Sequence, residues 1–155
     1  MEHLFMKQAI IQAKKALKKD EVPIGAVIVK DGVILSRGYN RTEADQDATR
    51  HAEIIAIERA CKKLKSWRLD DCTLYVTVEP CPMCAGAIVN SRIDRVVFGA
   101  HDQKAGAYGS VFDMCAYPLN HIPVVEGGVL EERCANQLSS FFKNLRKKKK
   151  SDKND

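Results

Sequence analysis

Apolar positions recur along this chain with two different periods. Over residues 2–19, Leu4, Phe5, Ala9, Ile10, Ala13, Ala16 and Leu17 fall near a 3.6-residue spacing, which predicts an amphipathic helix. "PIGAVIVK" and "VILSRGYN" are rich in β-branched residues and flank Asp31-Gly32, a pair that favours a tight hairpin. "RTEADQDATR" is polar and reads as a loop. Helical spacing returns over 51–64 with Ile54, Ile55, Ile57 and Ala60. "CTLYVTV" reads as a strand, "CPMCAGAIVNSR" as a helix after Pro82, and "RVVFGA" as a further strand. A Gly-rich loop over 101–110 and a short helix near 111–116 lead to a last strand, "IPVVEG". A closing helix over 129–146 carries Leu130, Cys134, Leu138, Phe141, Phe142 and Leu145.

Strands alternating with helices predict an α/β domain of three layers, α/β/α, over residues 1–146. The sheet is expected to be mostly parallel, with the opening hairpin adding one antiparallel pair. A chain of 155 residues fits one domain with a real core. No apolar run approaches the roughly 20 residues of a membrane span. The first residues mix basic and apolar side chains and lack the continuous apolar stretch of a signal peptide. The expectation is a cytoplasmic protein without a membrane partner.

The net charge of +5 changes the picture through its placement. From Lys143 onward there are seven basic and two acidic residues, while the preceding 142 residues balance at 18 of each sign. Residues 147–155 are expected to be a basic, disordered tail. Such a tail either attracts a polyanion, most simply nucleic acid, or only keeps the chain soluble.

Six cysteines in a cytoplasmic chain argue for thiols over disulfides. Cys61, Cys72, Cys115 and Cys134 lie in apolar contexts and read as small hydrophobes. Cys81 and Cys84 differ: they sit three apart at the predicted start of a helix, where both sulfurs share one side. Pro82 suits a first turn, whose N–H groups have no intrahelical partner to lose. A helix N-terminus also favours thiolate, the metal-binding form.

Two thiolates make half of a zinc site, and no second close cysteine pair completes it. Histidine is the natural third ligand. His3 lies beside charged residues on the first helix, and His101 and His121 lie in loops. His51 opens an apolar helix with Glu53 two residues on. Three protein ligands with an open position describe a catalytic zinc, at which a water ionises near neutral pH. Glu53 and Glu79 are the candidate proton carriers. Glu79 precedes Pro80 at a strand end, where a structural role is plausible, and Glu53 fits the shuttle.

"HAE" followed by "PCPMC" resembles the zinc-dependent cytidine and adenosine deaminase superfamily, whose signature is H-x-E…P-C-x-x-C. "EVPIGAVIV", "GYNR", "TLYVTVEPCPMCAGAIVNSRI", "RVVFGA", "GAYGS" and "LSSFFKNLR" extend the likeness to the bacterial tRNA-specific adenosine deaminases, in order and over nearly the whole chain. That resemblance implies a five-stranded mixed sheet between helices and a homodimer with one zinc per subunit. It implies a tRNA anticodon stem-loop as partner, and hydrolytic conversion of the wobble adenosine of an arginine tRNA to inosine. It further implies that His51, Cys81 and Cys84 hold zinc, and that Glu53 moves protons. Ala52 would offer its N–H near the activated water, and Asn40 would bind the purine. Asp102 and Lys104 would meet neighbouring nucleotides, and Phe141, Phe142, Lys143 and Arg146 would lie near the RNA. Two positions depart from the family pattern: Arg50 stands where a small residue is usual and Ala48 where a proline is.

Two other readings share parts of this pattern. A deaminase of a free base or nucleoside would keep the zinc, the fold and Glu53. A zinc-stabilised RNA-binding module would have no need of Glu53.

Overall fold

The computed structural model describes residues 1–154; Asp155, the last residue of the expected tail, lies outside the described residues. The elements run α1 (Glu2–Leu17), β1 (Gly25–Lys30), β2 (Val33–Tyr39), α2 (Thr42–Asp45), α3 (Ala52–Leu64), β3 (Cys72–Val78), α4 (Pro82–Ser91), β4 (Arg95–Ala100), β5 (Val124–Glu126) and α5 (Glu131–Asn154), with a 3-10 turn at Met114–Ala116 before β5. The sheet order is β2-β1-β3-β4-β5.

The hairpin forms as its turn residues require: Asp31 and Gly32 both take positive φ, at 52° and 76°. The sheet is less parallel than expected. β1 pairs antiparallel with β3 as well as with β2, and only β3–β4 and β4–β5 are parallel. Topology supplies the reason. The crossover from β2 through α3 to β3 makes those two strands run the same way. β1 lies between them and opposes both.

Strand alternation divides the core in two. Ala26, Ile28, Leu74, Val76, Val96 and Phe98 face the layer of α3 and α4. Val27, Val29, Tyr75 and Val97 face α1 and the first turns of α5. α3 lies unusually close to β2 because Gly38 has no side chain: a Cβ there would stand 2.5 Å from the carbonyl oxygen of Ala52 and 2.9 Å from the nitrogen of Ala56. The Ser36 hydroxyl donates to the Ala56 carbonyl at 2.7 Å and pins the same helix.

Two local expectations change. The polar loop after β2 contains a one-turn helix, α2, whose first N–H groups are bound by Glu21. The segment after Arg146, expected to be disordered, continues α5 as helix through Asn154. Lysine is a good helix former, and basic residues suit a helix C-terminus. No glycine or proline follows Gly128 to break the run.

Candidate metal centre and substrate cleft

Two helix N-termini meet at the sheet's carboxyl edge. His51 is the N-cap of α3, with extended φ −77° and ψ 156°. Cys81 is the N-cap of α4, with φ −76° and ψ 173°, and Pro82 follows inside the first turn. His51 Nδ1 lies 3.5 Å from Cys81 Sγ and 3.5 Å from Cys84 Sγ. All three donor atoms lie within 4.8 Å of one another.

These distances match a shared metal ion. Tetrahedral Zn–S bonds of about 2.3 Å and a Zn–N bond of about 2.05 Å place a nitrogen about 3.6 Å from each sulfur. The protonation pattern agrees. The Cys81 thiol is pushed down to about 4, first by its hydrogen bond from Cys84 and then by His51, against the opposing effect of burial. Cys84 is pushed up, because it keeps the shared proton and is buried. His51 is raised, chiefly by its bond to Cys81. A cation would replace that proton between the sulfurs.

Glu53 occupies the first turn of α3 and is almost wholly buried. Burial pushes its carboxyl above the usual range, with the charge of His51 acting in the opposite sense. Extended backbone at His51 explains how residues two apart serve one site. Opposite helical faces are dictated only when both residues are helical, and His51 stands before the helix begins.

Glu79, the other candidate carrier, is committed elsewhere. Its carboxylate accepts from the backbone N–H groups of Asp102, Tyr108 and Ser110 at 3.0, 2.9 and 3.2 Å, and from the Ser110 hydroxyl. Burial alone would raise Glu79, but these four donors together hold it below the usual carboxylate range. Its role is to shape the loop over 101–110. Gly106 lets that loop close, since any Cβ there would collide with the Glu79 carboxylate.

A cleft of about 590 Å³ opens beside His51, its lining including Asn40, Ala52, Phe141, Phe142 and Leu145. A second cleft of about 560 Å³ holds Asp102, Lys104 and Arg146. Val22, Ile24 and Phe142 line both, so the two are neighbours. The structure thus brings together Asn40, Ala52, Asp102, Lys104, Phe141, Phe142 and Arg146. Lys143 is exposed and lines neither cleft. Asn40 Oδ1 accepts from the Thr42 amide at 3.3 Å and hydroxyl at 2.7 Å, so its remaining capacity is the two Nδ2 donors.

The other singled-out residues have structural partners. Arg50 pairs with Asp45 at 3.0 Å and Glu58 at 2.7 Å, tying α2 to α3. His121 bonds the Ile93 carbonyl at 2.6 Å. Cys72 and Cys134 are buried, while Cys61 and Cys115 are half-buried. Glu21 is a residue that periodicity missed. Its side chain is fully buried at the rim of the first cleft and accepts from Glu43 N at 3.0 Å and Ala44 N at 2.7 Å. The available signal was an acid wedged between a helix end and an apolar strand.

Residues 2–146 match the model of the MafB19-like deaminases. The tRNA-specific adenosine deaminase of Bacillus subtilis (strain 168) is 53% identical over 151 residues, covering 97% of this chain and 94% of that protein. A solved structure from a study of A-to-I editing by tRNA:A34 deaminases at the wobble position superposes with a TM-score of 0.84. It is 46% identical and covers 86% of this chain and 98% of its own. Guanine deaminase from Bacillus subtilis superposes with a TM-score of 0.61 and is 45% identical, covering 63% of each chain.

Proposed function

We propose, from the premise that this chain belongs to the MafB19-like deaminase family, that it hydrolyses the wobble adenosine of a tRNA anticodon, that of an arginine tRNA, to inosine and ammonia. The observation that carries the reading is the placement of one histidine nitrogen 3.5 Å from two sulfurs, with a buried glutamate beside it and a cleft in front. His51, Cys81 and Cys84 would hold one zinc per subunit. When bound, zinc supplies a Lewis acid that makes water nucleophilic at neutral pH.

The chain's own residues divide the remaining work. The Asn40 Nδ2 donors hold an acceptor of the purine and orient its ring. Ala52 lines the cleft with a first-turn N–H that has no intrahelical partner. Phe141, Phe142 and Leu145 close the cleft and exclude water from the base. Glu53 accepts the proton of the attacking water on its carboxylate and passes it to the ring nitrogen beside C6. A second transfer gives the departing amine its proton, so water and adenosine balance against inosine and ammonia. The raised carboxyl of Glu53 suits a group that must hold a proton before releasing it.

The partner in this reading is an anticodon stem-loop in the cytoplasm. Among the described residues no helix is long and apolar enough to cross a membrane. A homodimer completes the reading, supported by exposed apolar side chains at Val111, Tyr117, Leu119, Ile122 and Val124.

The likeness to a guanine deaminase favours one rival, a free-purine enzyme with the same zinc and glutamate. The proton-shuttle assignment is tested by Glu53→Ala. That variant is expected to keep zinc, by metal analysis, and to keep RNA binding, while inosine formation falls by at least about 100-fold. Full activity in Glu53→Ala rejects the assignment.

A further inference from the structure

The C-terminal half of α5 distributes its positive charge by face. Leu138, Ser139, Phe142 and Arg146 line the cleft that holds Asp102 and Lys104. Phe141, Asn144, Leu145 and Lys148 instead face the end of α1 at Leu17 and Asp20. These sets mark two faces of one helix. At 3.6 residues per turn, the cleft-side row continues from Phe142 and Arg146 into Lys149, Lys150 and Lys153. Lys147 falls on the back of the helix, and the acidic Asp152 falls on the α1 side with Lys148.

Within that row every charge is positive, and the one nearby acid, Asp152, stands three residues after Lys149 on the side toward α1. Arg146 stands three and four residues before Lys149 and Lys150, and these stand four and three before Lys153. Like charges at such spacings repel. Among the described residues, none of the four is in an ion pair. All four are exposed. The family match ends at residue 146, so the three lysines lie beyond the part shared with it.

We propose that Arg146, Lys149, Lys150 and Lys153 form a rail for RNA phosphates, leading from the Asp102–Lys104 side of the cleft along the strand that flanks the target nucleotide. The proposal rests on the RNA reading above and deepens it. From Arg146 to Lys153 the helix axis advances about 10 Å, enough to meet more than one phosphate. An RNA backbone on this face neutralises the very charges that repel one another. Lys147 and Lys148 point elsewhere and contribute only undirected attraction.

The test compares Lys149→Gln/Lys153→Gln with Lys147→Gln/Lys148→Gln in the full zinc-loaded chain. Both remove two charges and keep good helix formers, so circular dichroism should show equal helicity. The probe is an anticodon stem-loop with a wobble adenosine, its binding followed by fluorescence anisotropy over a salt series. Losing two phosphate contacts should flatten the slope of log K against log salt by about 1.4, and weaken binding about tenfold at about 0.15 M salt. The Lys147/Lys148 pair should change affinity less than about twofold. Equal losses in the two variants, or no loss in either, overturn the rail. If wild type makes inosine in that case, the deaminase reading stands without it. A face-dependent slope in a protein that makes no inosine overturns the deaminase reading and leaves the rail.

Discussion

At the scale of single residues, the site depends on which side chains are free to react and which are occupied. His51, Cys81 and Cys84 were legible because their spacing and chemistry are those of a metal site. The sequence already favoured Glu53 over Glu79 as the proton carrier; what only the contacts reveal is that Glu79 spends its oxygens on Asp102, Tyr108 and Ser110. The partners of Glu21 were illegible for the same reason: Glu43 and Ala44 lie 22 and 23 residues away. Glu79→Ala should therefore destabilise the protein by at least about 2 kcal/mol, since it orphans buried N–H groups. The loss should read as a fall in melting temperature with zinc retained. The pH dependence has a definite sign. The folded-state pKa of Glu79 is depressed below its ordinary 4.5. Its contribution is complete above about 4.5 and fades as pH falls through the lower folded value. The gap in melting temperature between wild type and Glu79→Gln should narrow below pH about 4.5, and a gap that widens there contradicts the role. Cys84→Ala should lose both metal and stability; a variant still zinc-loaded by metal analysis would refute the ligand set.

At the scale of elements, helical spacing found every long helix, and runs rich in β-branched residues found the strands, of which β1, β3 and β4 are buried on both faces. Helical spacing missed α2, a single turn with no buried residue, whose helical form depends on the distant Glu21. It stopped α5 at Arg146, because the residues beyond contribute nothing to the core and the helix persists on local propensity and charge. It also could not show the closeness of α3 to β2, which rests on Gly38. Gly38→Val should push α3 outward and displace His51 from the two sulfurs. The expected result is about 1–3 kcal/mol lost to overpacking, together with weaker zinc affinity in a chelator competition. Destabilisation with unchanged zinc affinity would show that α3 does not set the ligand geometry.

At the scale of the whole molecule, the sheet order β2-β1-β3-β4-β5 carries α3 and α4 to one face and aims both N-termini at one point. The alternation of elements made the α/β class readable. The second antiparallel pairing was not, because the side-chain pattern of β1 is the same whichever way its neighbour runs. A metal held by His51, Cys81 and Cys84 would tie two helices whose ligands are 30 and 33 positions apart in the chain, so it should hold the fold together as well as the chemistry. Stripping zinc with a chelator should lower the melting temperature by several degrees, and restoring zinc should reverse the change. The proposed function joins that candidate centre to the cleft that opens beside His51. Its most direct test presents the zinc-loaded protein with an anticodon stem-loop bearing a wobble adenosine, alongside free adenosine and free guanine, and measures the products. The account predicts inosine in the RNA and little turnover of either free compound; rapid turnover of free guanine with no inosine in the stem-loop would contradict it.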